Sequence, residues 1–551
     1  MSLPKPRMGL FMTSHSSSVD LYTRLAWLVI AGLLILRLGL VLISPLELYA
    51  DEAQYWRWGQ SLEWGYYSKP PMIAWVIHFE TALFGDSEWA IRILAPVFHA
   101  FAATMLFLLS RRMFGAQAGF FTVITYLIMP GIILSSSVIS TDGVLFPFWA
   151  LALYLYWRLR EQDLSWLGVI TLGIAIGAGF LSKYAMLYFA IGIALTTLFD
   201  PATRRAVLSA KGLVFGATAL AVFAPHLIWN AVNDFQTVSH TVDNANLGGD
   251  LFNLDHLPRF LGDQMGVFGP VCFIALLAGL TFLRPARDLA DLGDASHAQR
   301  SKEVWLTCFI VPVLIIIAFQ AVLSRAHANW AATAYPAASV FIGGFLMRAA
   351  GWRIPFWGGI GLQLVLGVLA TTLALAPPSW SAAMGRDNDL KRVRGWEDLT
   401  AQLEREIERL EPSVVVVDER EIWHGIDYYM RDREDLPLIL WRYNPGPKSY
   451  AERVDLADLD SSRVLIASYR SHLRPRMKAD FATWQPEGFV GVDLGHRSNG
   501  CPLRRELRLY LTSDYQPLTR DADWIRQFKT EDESGNLINT HIDQAERCPK
   551  R

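Results

Sequence analysis

Apolar runs of about 17–25 residues, the length a helix needs to cross roughly 30 Å of hydrocarbon, recur from Leu21 to about Ala376. The bilayer is therefore the expected solvent, and runs of this length read as membrane-spanning helices that satisfy their own backbone amides. The spacing predicts spans at 21–43, 89–110, 115–134, 143–158, 165–181, 184–199, 212–230, 265–283, 304–323, 329–347 and 355–376. That makes an all-α polytopic membrane bundle of roughly eleven transmembrane helices. A composition of 52% hydrophobic and 19% charged residues, with 20 Trp and 30 Phe, argues against an ordinary soluble enzyme. Past about Pro377 the chain turns rich in Arg, Asp and Glu, with short apolar runs such as Val414 to Val417 and Val464 to Ala467. Residues 1–376 therefore read as a transmembrane domain and 377–551 as a soluble α/β domain.

Charge in the short loops orients the bundle. Arg111 and Arg112, Arg158 and Arg160, Arg204, Arg205 and Lys211, Arg284, Arg287, Arg300 and Lys302, and Arg348 and Arg353 fall on one predicted side, which the positive-inside rule makes cytoplasmic. The C-terminal domain then lies outside. The run at Leu21 is too long for a signal peptide and lacks a small-residue cleavage site, so it is expected to be retained as the first helix. A net charge of −2 carries no field for nucleic acid. Cys272 and Cys308 fall within spans, whereas Cys501 and Cys548 share the external domain and either pair or stay free there.

Polar residues collect on the external side. Asp51 and Glu52 follow the first span, where they cap a helix or serve as a general base. Tyr66-Tyr67-Ser68-Lys69-Pro70-Pro71 holds Lys69 near the surface, because the two prolines stop a helix and extend the chain. Met72 to Phe84 is too short to cross, and with Trp56, Trp58, Trp64 and Trp75 nearby the region reads as interfacial helices. Asp142 stands at the start of the fourth span, either as a cap or converging with Asp51 on one cavity.

Lys183, Lys69 and Arg325 are cations on the side where cationic bias should be low. They either snorkel to the interface or bind an anionic lipid phosphate. The loop at 324–330 adds His327 and Asn329, and the loop after His226 adds His240. Two histidines without an HExxH or paired CxxC give only weak support for a divalent metal. No Walker-type or GxGxxG loop supports a cytoplasmic nucleotide, so the donor of any transfer reaction is expected to arrive through the membrane.

Asp51-Glu52, Ser68-Lys69-Pro70-Pro71, Ser140-Thr141-Asp142, Leu181-Ser182-Lys183 and His327-Ala328-Asn329-Trp330, in this order and with common sidedness, resemble the lipid-linked sugar transferases of the GT-C class. The similarity is to the protein-mannosyltransferase-like branch that includes the aminoarabinose and galacturonic acid transferases of lipid A. The resemblance implies a polyprenyl-phosphate sugar donor and a lipid or glycan acceptor at the outer face of a bacterial inner membrane, with membrane lipids as the surrounding partners. It implies inversion at the sugar, with Asp51, Glu52 and Asp142 as the catalytic acids. Lys69, Lys183 and Arg325 become donor-phosphate ligands, and Tyr66, Tyr67, His240, His327 and Asn329 substrate contacts. The rival from another class is a secondary transporter, whose polar residues belong at the membrane midplane. A protein O-glycosyltransferase is the nearest alternative enzyme.

Overall fold

The computed structural model describes residues 12–244, 252, 254–281, 294–324, 326–433, 435–447, 449–497, 500–521 and 523–524. They divide into two compact units, one comprising residues 1–43, 63–73 and 92–369, the other 44–62, 74–91 and 370–551.

The first unit is a helix bundle. Among the described residues six helices are long and apolar enough to cross a membrane, or up to eight if each bent pair counts as one span. The helices Leu21–Leu42 and Ala210–Val232 turn Leu28, Ile35 and Leu213 outward, more than two-thirds exposed, a surface suited to acyl chains and not to water. Inward lie Trp149, Tyr156, Trp157, Phe189, Trp305 and Phe309, all essentially buried.

Several predicted spans are interrupted. The run at 115–134 stops after Ala116–Leu127 and resumes as Pro130–Ser135, because Pro130 has no amide to continue the ladder. The run at 184–199 opens with a 3₁₀ turn, Tyr184–Met186, before Leu187–Phe199, and bends by 117° into Pro201–Val207. The run at 265–283 bends by 110° between His256–Phe268 and Pro270–Thr281, at Gly269, whose φ of +93° is left to glycine. Hydropathy passes through the breaks at Pro130 and Gly269 without a sign, whereas the bend after Phe199 falls on Asp200, where the predicted span ends.

Trp166–Ser182 and Ala210–Val232 pack closely because Gly173 and Gly177 offer no side chain. A Cβ at Gly173 would lie 2.6 Å from the Phe215 carbonyl, and one at Gly177 would lie 2.8 Å from that of Ala219. Gly177→Leu is therefore expected to destabilise the bundle by about 1–3 kcal/mol. A thermal midpoint in detergent checks this, and an unchanged midpoint would contradict the packing.

Loops predicted to share one side meet at one end of this unit. Arg160 pairs with Asp200 at 2.8 Å and donates to Ser301 at 3.1 Å, Lys302 donates to the Met113 carbonyl at 2.6 Å, and Arg348 pairs with Glu303 at 2.7 Å.

The second unit holds a five-stranded sheet, in order β2-β1-β3-β5-β4, from β1 (Val414–Val417), β2 (Leu438–Leu440), β3 (Val464–Ser468), β4 (Phe481–His496) and β5 (Pro502–Tyr515). β1 pairs in parallel with β2 and β3, and β5 runs antiparallel to β3 and β4. The four valines of β1 are needed because both faces are covered. Val415 and Val417 join Leu399, Leu403 and Ile407 of the helix Trp396–Leu410, while Val414 and Val416 join Ile439, Trp441 and Met477. Trp56 and Trp58, expected as interfacial anchors, are buried in this unit, Trp56 with its ring 5.0 Å edge-on to Tyr428. Cys501 is disulfide-bonded and Cys272 and Cys308 are free, while Cys548 lies outside the described residues.

Two buried acids make this unit sensitive to pH. Burial pushes Asp427 up to about 7 against the pull of Arg57, and pushes Asp418 up to about 6 despite hydrogen bonds from Ser468 and the Tyr469 and Arg470 amides. An unfolded Asp titrates near ~3.9, so between about 4 and 7 the folded state binds more protons than the unfolded. The two acids therefore contribute stability that falls as pH rises through that window, against the opposite slope of buried His424, whose imidazole burial holds well below its usual range. Thermal midpoints of wild type and Asp427→Asn compared across pH isolate the share of Asp427, and the variant should lose its fall.

Candidate active site

At the end of the bundle opposite the Arg160–Asp200 pair stands Asp142, in the first turn of the helix Thr141–Arg160. Ser140 caps that helix by accepting from the Gly143 amide at 3.2 Å, which leaves the Asp142 carboxylate to other partners. Lys183 takes an extended conformation between Trp166–Ser182 and the 3₁₀ turn Tyr184–Met186, and this break turns its side chain to Asp142. Its ammonium donates to both Asp142 oxygens, at 2.7 and 2.8 Å. Asn329, in the 3₁₀ helix Ala328–Ala334, donates to the same carboxylate at 2.9 Å. Three candidates from three distant segments thus form one cluster. The Lys183 and Asp142 side chains are 19% and 11% exposed, so the pair is shielded but reachable. An ammonium has three N–H donors, and two reach Asp142.

The loop bearing Lys69 is held in a fixed turn. The Tyr66 amide donates to the Lys69 carbonyl at 3.1 Å, the Tyr66 hydroxyl accepts from the Glu63 amide at 3.1 Å, and Thr237 donates to the Tyr66 carbonyl at 2.6 Å. Gly65 is required here, since a Cβ would meet the Trp229 ring at 2.4 Å. Tyr67 meets His240 edge-on at 5.8 Å, which unites two substrate-contact candidates. His226 donates from Nδ1 to the Trp64 carbonyl at 2.6 Å, so its Nε2 accepts from the Tyr184 hydroxyl at 2.8 Å, next to Lys183. His327 occupies the N-cap position of the 3₁₀ helix of Asn329, with its ring 5.1 Å from Trp330. Arg325 lies outside the described residues.

His99 went unnoticed in the sequence, where it is a lone histidine in an apolar run. It is fully buried, with Nδ1 3.0 Å from the Tyr126 hydroxyl and Nε2 2.9 Å from the Ser135 hydroxyl. A Cβ on Gly143 would lie 3.3 Å from that serine oxygen and 3.8 Å from Nε2, so His99 and Ser135 sit under the start of the Asp142 helix.

In the second unit Asp51 and Glu52 open the helix Ala50–Gly59 and differ in environment. Glu52 is buried and accepts from the Tyr49 amide at 3.0 Å, the contact of a helix cap. The Asp51 side chain is 44% exposed, 3.9 Å from Arg420. Gln54, on the same helix, accepts from Arg420 at 2.8 Å. Among the described residues no group of three or more His, Cys, Asp or Glu side chains is placed to hold a metal ion.

Residues 68–229, which contain Lys69, Asp142 and Lys183, match the family described as dolichyl-phosphate-mannose-protein mannosyltransferase. The lipid A galacturonosyltransferase RgtD of Rhizobium johnstonii is 33% identical over 411 residues, 74% of this chain and 82% of the relative. The chain belongs to the GT-C lipid-linked sugar transferases. This multi-pass transferase is also 26% identical over 175 residues to an undecaprenyl phosphate-alpha-4-amino-4-deoxy-L-arabinose arabinosyl transferase of Pseudomonas fluorescens, 27% of this chain and 31% of that one. The crystal structure of ArnT from Cupriavidus metallidurans in its apo state shares the transferase's fold, with a TM-score of 0.58 at 14% identity over 93% of this chain and 99% of that one. A second ArnT structure, bound to undecaprenyl phosphate, gives 0.56 at 15% identity over 92% and 99%.

Proposed function

We propose that this transferase moves galacturonic acid, or a closely related sugar, from a polyprenyl-phosphate donor to lipid A or the adjoining lipopolysaccharide core at the outer face of a bacterial inner membrane. The observation that carries the reading is the identity to a lipid A galacturonosyltransferase across 82% of that relative. The bundle crosses the membrane about eleven times, since helices broken at Pro130 and Gly269 can still cross within a protein-lined interior. An odd number of crossings leaves residues 377–551 in the periplasm.

In the proposed mechanism Asp51 accepts the proton of an acceptor hydroxyl as its oxygen bonds to the anomeric carbon. The bond from that carbon to the phosphate oxygen breaks, and polyprenyl phosphate leaves with the electron pair. Displacement in one step inverts the anomeric centre. Lys69 and Lys183 stabilise the charge gathering on the phosphate, the latter through the N–H that Asp142 does not take. Asp142 and Asn329 fix the direction of that N–H. Glu52 shapes the helix that presents Asp51, while Tyr66, Tyr67, His240 and His327 line the approach of the sugar, and Arg325 is assigned to the donor phosphate.

Purified protein incubated with lipid A and polyprenyl-phosphate-linked galacturonic acid should yield lipid A heavier by one uronic acid in mass spectra. Turnover with the aminoarabinose donor alone would reassign the sugar. The match of residues 68–229 to the protein mannosyltransferases favours a second reading, O-glycosylation of a protein. Transfer to a serine- and threonine-rich peptide, with none to lipid A, would establish it.

A further inference from the structure

The second unit carries a group of cations that the proposed chemistry does not use. Lys391, Arg392 and Arg394 follow one another in the segment leading to Trp396–Leu410, and the β4–β5 hairpin adds Arg497 and Arg505. Arg505 is buried, lies 3.5 Å over the Trp396 ring, and donates to the carbonyls of Lys391 at 2.7 Å and Arg394 at 2.9 Å. It thereby fixes the segment that displays Lys391 and Arg392. Arg497 stands in the turn closing the hairpin, where its amide donates to the carbonyl of the disulfide-bonded Cys501 at 2.8 Å.

Among the described residues none of these five cations has a carboxylate within 4.0 Å. Lys391 donates to the neutral Asn388 amide oxygen at 3.0 Å and Arg392 to the Tyr49 hydroxyl at 2.8 Å. Burial, followed by the charges of Arg392, Arg497 and Arg505, holds Lys391 below the usual lysine range. Glu421 faces this group, Asp387 and then Glu47 face Arg394, and Glu47 also faces Arg505 while accepting from the Trp396 amide at 2.5 Å. Cations assembled against mutual repulsion, with neutral oxygens accepting from Lys391, Arg392, Arg394 and Arg505, are arranged to take an oxyanion from solution. Tyr49, which Arg392 holds, lies two residues before Asp51.

We infer that Lys391, Arg392 and Arg497 form an acceptor subsite, binding a phosphate or carboxylate carried by the acceptor saccharide so that its hydroxyl is delivered to Asp51. The inference rests on the transfer reaction proposed above. The acceptor is favoured over the donor because the group adjoins the helix of the proposed base, which acts on the acceptor hydroxyl.

The test compares wild type with Lys391→Gln/Arg392→Gln/Arg497→Gln in nanodiscs, using three acceptors: phosphorylated lipid A, lipid A stripped of phosphate, and phosphate-free lipid A bearing acidic core sugars. Both transfer and acceptor binding are measured. The expected result is an acceptor KM and Kd raised about tenfold or more for the anionic acceptors, with kcat and donor KM unchanged and the stripped acceptor unaffected. Whether the phosphorylated or the core-bearing acceptor responds identifies the oxyanion. Equal losses on the stripped acceptor, a raised donor KM, or no change in either binding or KM would overturn the inference. Arg392→Gln alone, at an exposed position, repeats the measurement should the triple variant fold poorly. Absent transfer by wild type would count against the reaction, while the binding comparison would still decide the subsite.

Discussion

Asp51→Asn is expected to lower sugar transfer by about 10²–10⁴-fold while leaving the thermal midpoint and the yield of folded protein unchanged. The two halves of this expectation have separate physical grounds. The side chain is 44% exposed, and its contact with Arg420 is 3.9 Å long with a partner 42% exposed. Such surface pairs contribute only about 0–1 kcal/mol, so the fold does not depend on the charge. The amide is nearly isosteric but cannot take a proton from the acceptor hydroxyl. Glu52→Gln should behave in the opposite way. Glu52 is buried and bonded to the Tyr49 amide, so its loss should appear in the thermal midpoint first. Assays of both variants, normalised to folded protein, check the contrast, and equal activities for Asp51→Asn and wild type would remove Asp51 from the mechanism.

Lys183→Met is expected to damage both stability and chemistry. Its ammonium meets both Asp142 oxygens in a shielded setting, and removing one partner of a buried pair leaves an uncompensated charge at about 3 kcal/mol. In the proposed mechanism Lys183 faces the departing phosphate, so its loss should add a rate loss of roughly 10²–10³-fold. The double variant Asp142→Asn/Lys183→Met separates the two effects. With neither charge present, much of the lost midpoint should return, whereas transfer should not. Recovery of transfer along with the midpoint would make the pair a structural strut. Asn329→Ala, which removes one donor from Asp142, should cost less on both measures.

The helices of the bundle were legible because lipid imposes length and apolarity on every crossing. The breaks were not, because the residues around Pro130 and Gly269 remain apolar while their backbones turn. The pairing of Asp142 with Lys183 spans 41 residues of sequence and depends on how two helices pack, and no local pattern reports that. Sidedness marked Lys183 as unusual, since a lysine on the external side calls for a partner, whereas an acid at a helix start such as Asp142 reads equally well as a cap. His99 left no mark, because a histidine in an apolar helix has the same appearance whether it fills a core or underlies a site. The Val414 to Val417 run showed a strand, and only the sheet order explained why all four positions are apolar: helices and loops cover both faces. Nothing in the order of residues indicated that 44–62, with Asp51, group with the C-terminal segment, because that grouping arises from long-range contacts such as Arg420 with Gln54.

The most direct test of transfer from a lipid phosphate is a stoichiometry. Wild-type protein in proteoliposomes, given a polyprenyl-phosphate sugar labelled in both sugar and phosphate, should release one polyprenyl phosphate for each sugar joined to acceptor, with the anomeric configuration inverted. Movement of the intact donor across the bilayer with no polyprenyl phosphate released would contradict the account and identify a transporter.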